Sequence, residues 1–304
     1  MDTQHSENRP SPRGLIWYLS VALIAFAVMA LVPLCAPEAW WYLAIGRLID
    51  AYQAVPDQNH LLYSVPADKP SFILEWLSAR TLYALEQWMG IASLVAARNL
   101  SLALAAALSA VAFVWRKIPV QKEEQKPQLG AIAAALGLGV ACWGITATPI
   151  LFVAPLFALL ILCGVLASRS ERAWALPLAW VLFPGVAALW ANLDISAFLP
   201  ALLALWFAVD ASVASAHSSR NTRLGWLASC IFSIAALMAN PRGAAIYEHL
   251  WTVNTLYPGM NDMSGWAHVV PMMSIAGALL TAGVVLCVSA YALTRTRPAL
   301  SDAL

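Results

Sequence analysis

Charge is the property that this sequence has least of. Only 11% of the 304 residues are Asp, Glu, Lys or Arg, whereas about 25% is usual for soluble domains. Hydrophobic residues make up 61% of the chain. This balance excludes a soluble globular domain, a disordered chain and a disulfide-rich scaffold. The net charge of +1 provides no bulk attraction for nucleic acid, so we expect no nucleic-acid partner.

The motifs of soluble enzymes and metal sites are missing as well. The five cysteines lie in or beside apolar runs and lack the spacing of metal ligands. There is no Gly-rich phosphate loop, no H-E-x-x-H pair and no G-x-S-x-G turn. The centres of the apolar runs contain no ionisable residues. This absence argues against an ion-coupled transporter, which normally places such residues at mid-membrane.

Long uncharged runs are what the sequence has instead. A helix that crosses a bilayer needs about 20 apolar residues, and the uncharged run 127–168 is long enough for two such helices. The sequence therefore predicts an all-α, polytopic helical membrane protein. We expect about eight transmembrane helices, at residues 14–34, 91–115, 129–146, 149–168, 173–190, 195–215, 224–239 and 270–293.

The Lys and Arg residues predict how the chain is oriented. With eight spans, 12 of the 17 basic residues fall on the side that carries both termini, and basic residues concentrate on the cytoplasmic side. We expect cytoplasmic tails at 1–13 and 294–304 and a transmembrane module at 14–293. The two long loops of that module, 35–90 and 240–269, then face outward.

The first outer loop has the pattern of interfacial helices. Residues 39–54 place Trp41, Ile45, Leu48 and Tyr52 at helical spacing, with polar residues elsewhere. Such an amphipathic helix lies in the membrane interface or packs on a neighbouring helix. Residues 72–89 resume as a second helix that leads into the span at 91–115.

Acidic residues collect on the predicted outer face, which holds nine of the 16 carboxylates. Solvation of an outer surface accounts for most of them. Glu38 and Asp194 differ because they lie close to predicted span ends, four residues after the first span and one residue before the span at 195–215. A carboxylate at that depth is costly without a partner, so these two are the first candidates for a functional role.

Several short motifs occur in a characteristic order along the predicted outer loops. Residues 36–43 read A-P-E-A-W-W-Y-L, and residues 74–77 read L-E-W-L. Later come W-A-N-L-D at 190–194 and N-P-R-G at 240–243. This order resembles a large bacterial family of multi-pass proteins with the motifs D-P-D-x-W-W-H-L, H-E-W-L, W-A-N-L-H and N-P-x-G. That family is similar to the membrane module of GT-C-type glycosyltransferases.

The resemblance implies a location, an activity and a site. Its enzymes transfer a sugar from a polyprenyl-phosphate donor on the outer face of the membrane, here the bacterial cytoplasmic (inner) membrane. Expected partners are membrane lipids, a polyprenyl-phosphate sugar and other membrane subunits. A divalent metal ion is a candidate cofactor, without a predicted set of protein ligands. The resemblance implies Glu38 as the general base. The candidate substrate-binding residues are Trp40, Trp41, Asp57, Glu75, Asp194 and Arg242, where Arg242 is a candidate phosphate partner because it is a cation on the predicted outer face.

Departures from the family pattern keep other functions open. Ala36, Tyr42, Leu74 and Asp194 stand where the family has Asp or His. A protein that keeps the fold of the family but has lost its catalytic activity would show this loss of polar residues. The alternative is therefore a non-catalytic structural or partner subunit of a membrane complex. A lipid or solute carrier is a third. Convergence of Glu38, Glu75, Asp194 and Arg242 on one cavity would favour the enzyme.

Overall fold

A computed structural model describes residues 37–58, 73–114, 148–169, 174–213 and 219–256, with residues 16, 20, 22–27 and 30 of the first segment. These residues form helices and connecting turns and contain no strand. The helices are α1 (Pro37–Tyr52), α2 (Trp76–Met89), α3 (Ile91–Val114), α4 (Ile150–Arg169), α5 (Ala175–Trp190), α6 (Leu199–Val213), α7 (Arg220–Ala236) and α8 (Ala245–Leu256), with a 3₁₀ turn at Leu237–Ala239.

The helical class is confirmed, and the membrane character is supported by apolar helices. In the described part of the chain, three helices are long and apolar enough to cross a membrane: Ile91–Ala112, Ile150–Ser168 and Arg220–Ala239. The shorter apolar helices Ala175–Trp190 and Leu199–Ser212 fall in two further predicted spans. The predicted spans 129–146 and 270–293, and most of 14–34, lie outside the described residues.

Helix α5 lies at the centre of the bundle, where it contacts α4, α6 and α7. Its Phe183 is fully buried and packs edge-on against Trp226 of α7, with ring centroids 5.2 Å apart. Trp226 in turn stacks on Phe207 of α6 at 4.9 Å. Lipid tails are as apolar as these side chains, so close packing rather than exclusion from water holds such helices together.

Helices α1 and α2 form a hairpin that packs beside α3. A Cβ atom on Gly46 would lie 2.2 Å from the Ala79 carbonyl oxygen, so only glycine permits this close approach. The apolar stripe that the sequence predicts on α1 therefore coincides only in part with the face that packs on α2. Ile45 is buried, whereas Trp41 and Tyr52 are 41% and 57% exposed. The face against α2 is centred on Gly46 and consists of Ala39, Leu43, Ile45, Gly46 and Ile49.

A sharp break separates α2 from α3. Gly90 has φ 66°, a left-handed conformation that glycine adopts without a steric penalty. Its N–H donates to the carbonyl oxygen of Glu86 at 2.7 Å, which ends α2. The structure thus starts α3 at Ile91, where the sequence predicts that the span begins.

Candidate functional site

Two segments that are distant in sequence meet at the end of the bundle that the sequence predicts to face outward. The indole N–H of Trp76 donates to the side-chain oxygen of Asn192 at 2.7 Å. The Leu77 N–H donates to the Asn192 carbonyl oxygen at 3.1 Å. The Ser78 hydroxyl donates to the Leu193 carbonyl oxygen at 2.7 Å. The start of α2 is thereby fixed to the turn between α5 and α6.

Asn240 adds a third segment to this contact. The side chain is almost fully buried, at 3% exposure. Its amide nitrogen donates to the carbonyl oxygens of Ala191 at 2.8 Å and Leu74 at 3.3 Å, and its oxygen accepts the Arg242 N–H at 3.0 Å. We call residues 74–78, 190–196 and 240–242 the three-turn junction. Three of the four motifs quoted from the sequence meet there.

The three-turn junction contains two neighbouring carboxyl groups, those of Glu75 and Asp194. One oxygen of Asp194 accepts the N–H of Ser196 at 2.8 Å and also its hydroxyl. Burial, together with the smaller effect of the nearby charge of Asp194, raises the pKa of Glu75 from 4.5 to about 7. Glu75 therefore changes its protonation state near neutral pH.

A pocket of about 560 Å³ lies beside the junction, between the end of α1 and the 240–242 turn. The guanidinium of Arg242 spans the two walls, since its Nη2 donates to the carbonyl oxygen of Pro56 at 2.8 Å. Asp57 supplies an exposed carboxylate to the same pocket. The full lining is Tyr52, Ala54, Val55, Pro56, Asp57, Gln58, Pro241 and Arg242.

The residues predicted for the site fall into separate groups. Glu75 and Asp194 are neighbours, and Asp57 and Arg242 share the pocket, but neither member of the carboxyl pair lines that pocket. The backbone of Glu38 belongs to the first turn of α1, and its side chain is outside the described part of the structure. Among the described side chains, Glu75 and Asp194 thus lie outside the pocket that Arg242 lines. Convergence of these residues on one cavity is therefore not observed.

Trp40 and Trp41 are exposed on α1 and are not part of the pocket lining. Within the described ranges, no group of three His, Cys, Asp or Glu side chains is placed to hold a metal ion. The carboxyl pair provides two such side chains.

Sequence reasoning missed the role of several residues. Tyr52 and Gln58 line the pocket, although Tyr52 is predicted only as part of an apolar stripe. Asn192 and Asn240 are motif letters in the sequence, and nothing in it indicates that the buried Asn192 side chain accepts from Trp76 or that the Asn240 side chain donates to two other segments. The one usable signal is the N-P-R-G turn itself, which places Arg242 immediately after a rigid corner.

Comparison of the chain with protein-family models, with curated protein sequences and with solved structures found no match in any of the three. The resemblance to GT-C-type glycosyltransferases therefore rests on the order of motifs in the sequence alone. The geometry adds that three of these motifs are in contact with one another.

Proposed function

We propose that this chain is a GT-C-like protein of the bacterial inner membrane that transfers a sugar from a polyprenyl-phosphate donor on the outer face. The observation that carries the proposal is the Glu75–Asp194 pair within the three-turn junction. A half-buried carboxyl group with a pKa of about 7 is suited to take a proton at neutral pH. The motif-bearing turns hold it in place.

The proposed chemistry needs one base and one anion partner. The acceptor hydroxyl oxygen attacks the anomeric carbon of the donor, and the bond from that carbon to the phosphate oxygen breaks. The hydroxyl proton passes to Glu75, and the electron pair leaves with the polyprenyl phosphate. The resemblance implies Glu38 for the same role, so both carboxyl groups are candidates and the experiment below compares them.

The membrane setting suits such a donor. Its lipid tail remains in the bilayer, and its phosphosugar emerges at the interface, where the outer loops lie in the predicted topology. Exposed Trp40 and Trp41 on α1 suit that interface, because aromatic rings concentrate at the level of the headgroups. Both termini are then cytoplasmic.

The test measures transfer by the full chain in lipid nanodiscs, from radiolabelled polyprenyl-phosphate glucose or mannose to a membrane extract. We expect Glu75→Gln to reduce the rate by about 10²–10⁴-fold, the usual contribution of a general base. Wild-type activity should rise as pH increases through about 7 and level off above it, as Glu75 ionises. Glu86→Gln is the matched control, since Glu86 is a carboxylate of the same helix, α2, whose side chain accepts a bond from its neighbour Gln87.

Glu38→Gln separates the two candidate bases in the same assay. Loss of activity in Glu38→Gln with retention in Glu75→Gln would assign the base to Glu38 and contradict the proposal for Glu75. Full activity in both variants would contradict general-base catalysis by either residue.

A second function, a non-catalytic subunit of a membrane complex, is favoured by a different observation. The polar side chains of Trp76, Asn192 and Asn240 are bonded within the three-turn junction, which is what a purely structural role requires. This function predicts co-purification with other membrane proteins in fixed stoichiometry and no transfer activity. Isolation of an active single chain would contradict it.

A further inference from the structure

The pocket beside the three-turn junction combines groups of opposite charge with an aromatic ring. Arg242 supplies a cation, Asp57 an anion, Gln58 an amide and Tyr52 a phenol, all within one cavity of about 560 Å³. Ligand-binding clefts typically have volumes of roughly 300–1,000 Å³ and a few convergent polar groups. The pocket thus has both the size and the polarity of a small-molecule site.

Arg242 is fixed in position before any ligand binds. Its side chain is half-buried and donates from Nη2 to the Pro56 carbonyl oxygen at 2.8 Å. Its backbone N–H is held by the buried side chain of Asn240 at 3.0 Å. A guanidinium held in this way loses little conformational freedom on binding, and its planar donors match the oxygens of a phosphate.

Asp57 indicates that the ligand is more than a phosphate ion. A carboxylate in the same pocket repels a bare anion, whereas it accepts hydrogen bonds from hydroxyl groups. The Gln58 amide can both donate and accept, and the ring of Tyr52 offers an apolar surface with a polar tip. This combination fits a hydroxyl-rich ring attached to a phosphate.

We infer that this pocket binds a glycosyl phosphate, with the phosphate at Arg242 and the sugar hydroxyls at Asp57 and Gln58. The inference rests on the proposed function, because it makes the pocket the recognition site for the donor headgroup. Asn240 connects the two parts of the site, since it bonds both the Arg242 N–H and the Leu74 carbonyl next to Glu75. The glycosyl phosphate comes either from a lipid-linked donor or from a soluble sugar phosphate.

Calorimetry on the full chain in phosphatidylcholine nanodiscs tests the inference. The soluble probes are inorganic phosphate and the 1-phosphates of glucose, galactose and mannose, and the membrane probe is polyprenyl-phosphate glucose in the disc. We expect Arg242→Gln to weaken the binding of all phosphate probes by at least tenfold. Arg80→Gln is the matched control, because Arg80 is an exposed cation of α2 outside the lining, and it should change nothing.

Asp57→Asn is the sharper variant because it affects the two kinds of probe in opposite directions. It should weaken the binding of sugar phosphates severalfold, since a strong acceptor of hydrogen bonds from hydroxyl groups is lost. It should strengthen the binding of inorganic phosphate, since a repelling charge is removed. Equal changes for both probes, or equal losses in Arg80→Gln and Arg242→Gln, would overturn the inference. Absence of binding by every sugar phosphate probe would overturn it as well.

Three further comparisons complete the design. Arg242→Lys keeps the positive charge but not the planar donors. Its affinity for the phosphate probes should therefore lie between those of the wild type and of a folded Arg242→Gln variant. Binding by the membrane probe alone identifies a lipid-linked ligand, and binding by a 1-phosphate alone identifies a soluble one. Glu75→Gln should keep binding while it loses transfer. Binding with the expected variant order but no transfer would contradict the transferase and leave the pocket assignment standing.

Discussion

The centre of the helix bundle and the three-turn junction are held together by different forces. At the centre, Phe183, Phe207 and Trp226 make ring contacts at 4.9–6.1 Å with no hydrogen bonds among them. At the junction, Asn192 and Asn240 join three segments by directional hydrogen bonds. Packing fixes how far the helices approach, whereas directional bonds fix how their connecting turns are oriented. The candidate site therefore occurs where orientation is specified.

One residue belongs to both regions. Trp190 ends α5 and is 1% exposed. Its ring meets Phe157 edge-on at 6.4 Å, and its indole N–H donates to the hydroxyl of Ser196 at 3.2 Å. Ser196 in turn bonds Asp194 of the carboxyl pair. A change in the packing of the bundle centre that moves Trp190 is thus expected to move Ser196 and Asp194 as well.

The largest effect should come from the bundle centre. Trp226→Ala removes a fully buried ring that contacts two others, and we expect a loss of about 3–5 kcal/mol in the free energy of unfolding. Denaturant titration in micelles measures it. Leu227→Ala, an exposed neighbour on the same helix, should cost far less. Similar losses for both would show that the centre is not specifically packed.

A smaller loss is expected at the junction. Asn240→Ala leaves two buried carbonyl oxygens without their side-chain donor, which should cost about 2–4 kcal/mol. Asn221→Ala, at an exposed asparagine of α7, is the control. Limited proteolysis should show faster cleavage near residue 240 in the Asn240 variant. An unchanged cleavage pattern would mean that the junction does not depend on this side chain.

The smallest effect depends on pH. The pKa of Glu75 is about 7 in the folded protein, against an ordinary 4.5, so ionisation costs more in the folded than in the unfolded state. The stability that the proton contributes is complete below pH 4.5 and is lost as pH rises through 7. Glu75→Gln mimics the protonated group and should be more stable than wild type by about 1–3 kcal/mol at pH 8.

Unfolding of the Glu75→Gln variant and the wild type across pH 4 to 8 provides the measurement. The difference between them should vanish near pH 4, where Glu75 is protonated in both states. A difference that stays constant across this range would contradict the raised pKa. It would also remove the main support for Glu75 as the base.

The sequence predicts elements better than it predicts contacts. The start of α3 at Ile91 is predicted correctly from the apolar run that follows Gly90, because hydrophobicity and periodicity can be determined from the local sequence. The face of α1 is predicted less well, because hydrophobicity selects Trp41 and Tyr52 while the small size of Gly46 decides where α2 approaches. Glu75 and Asp194 are each predicted as candidates, but the proximity that lets Asp194 raise the pKa of Glu75 depends on long-range packing that no local pattern encodes.

The length of the central helix α5 has a consequence for the surrounding lipid. Helix α5 has 16 residues between its two ends, which gives about 24 Å at the rise of an α-helix. The hydrocarbon core of a bilayer is about 30 Å thick. When α5 crosses the membrane as the sequence predicts, hydrophobic mismatch makes the bilayer thinner around it. Lipid headgroups would then lie closer to the mid-plane beside the turn that carries Asp194.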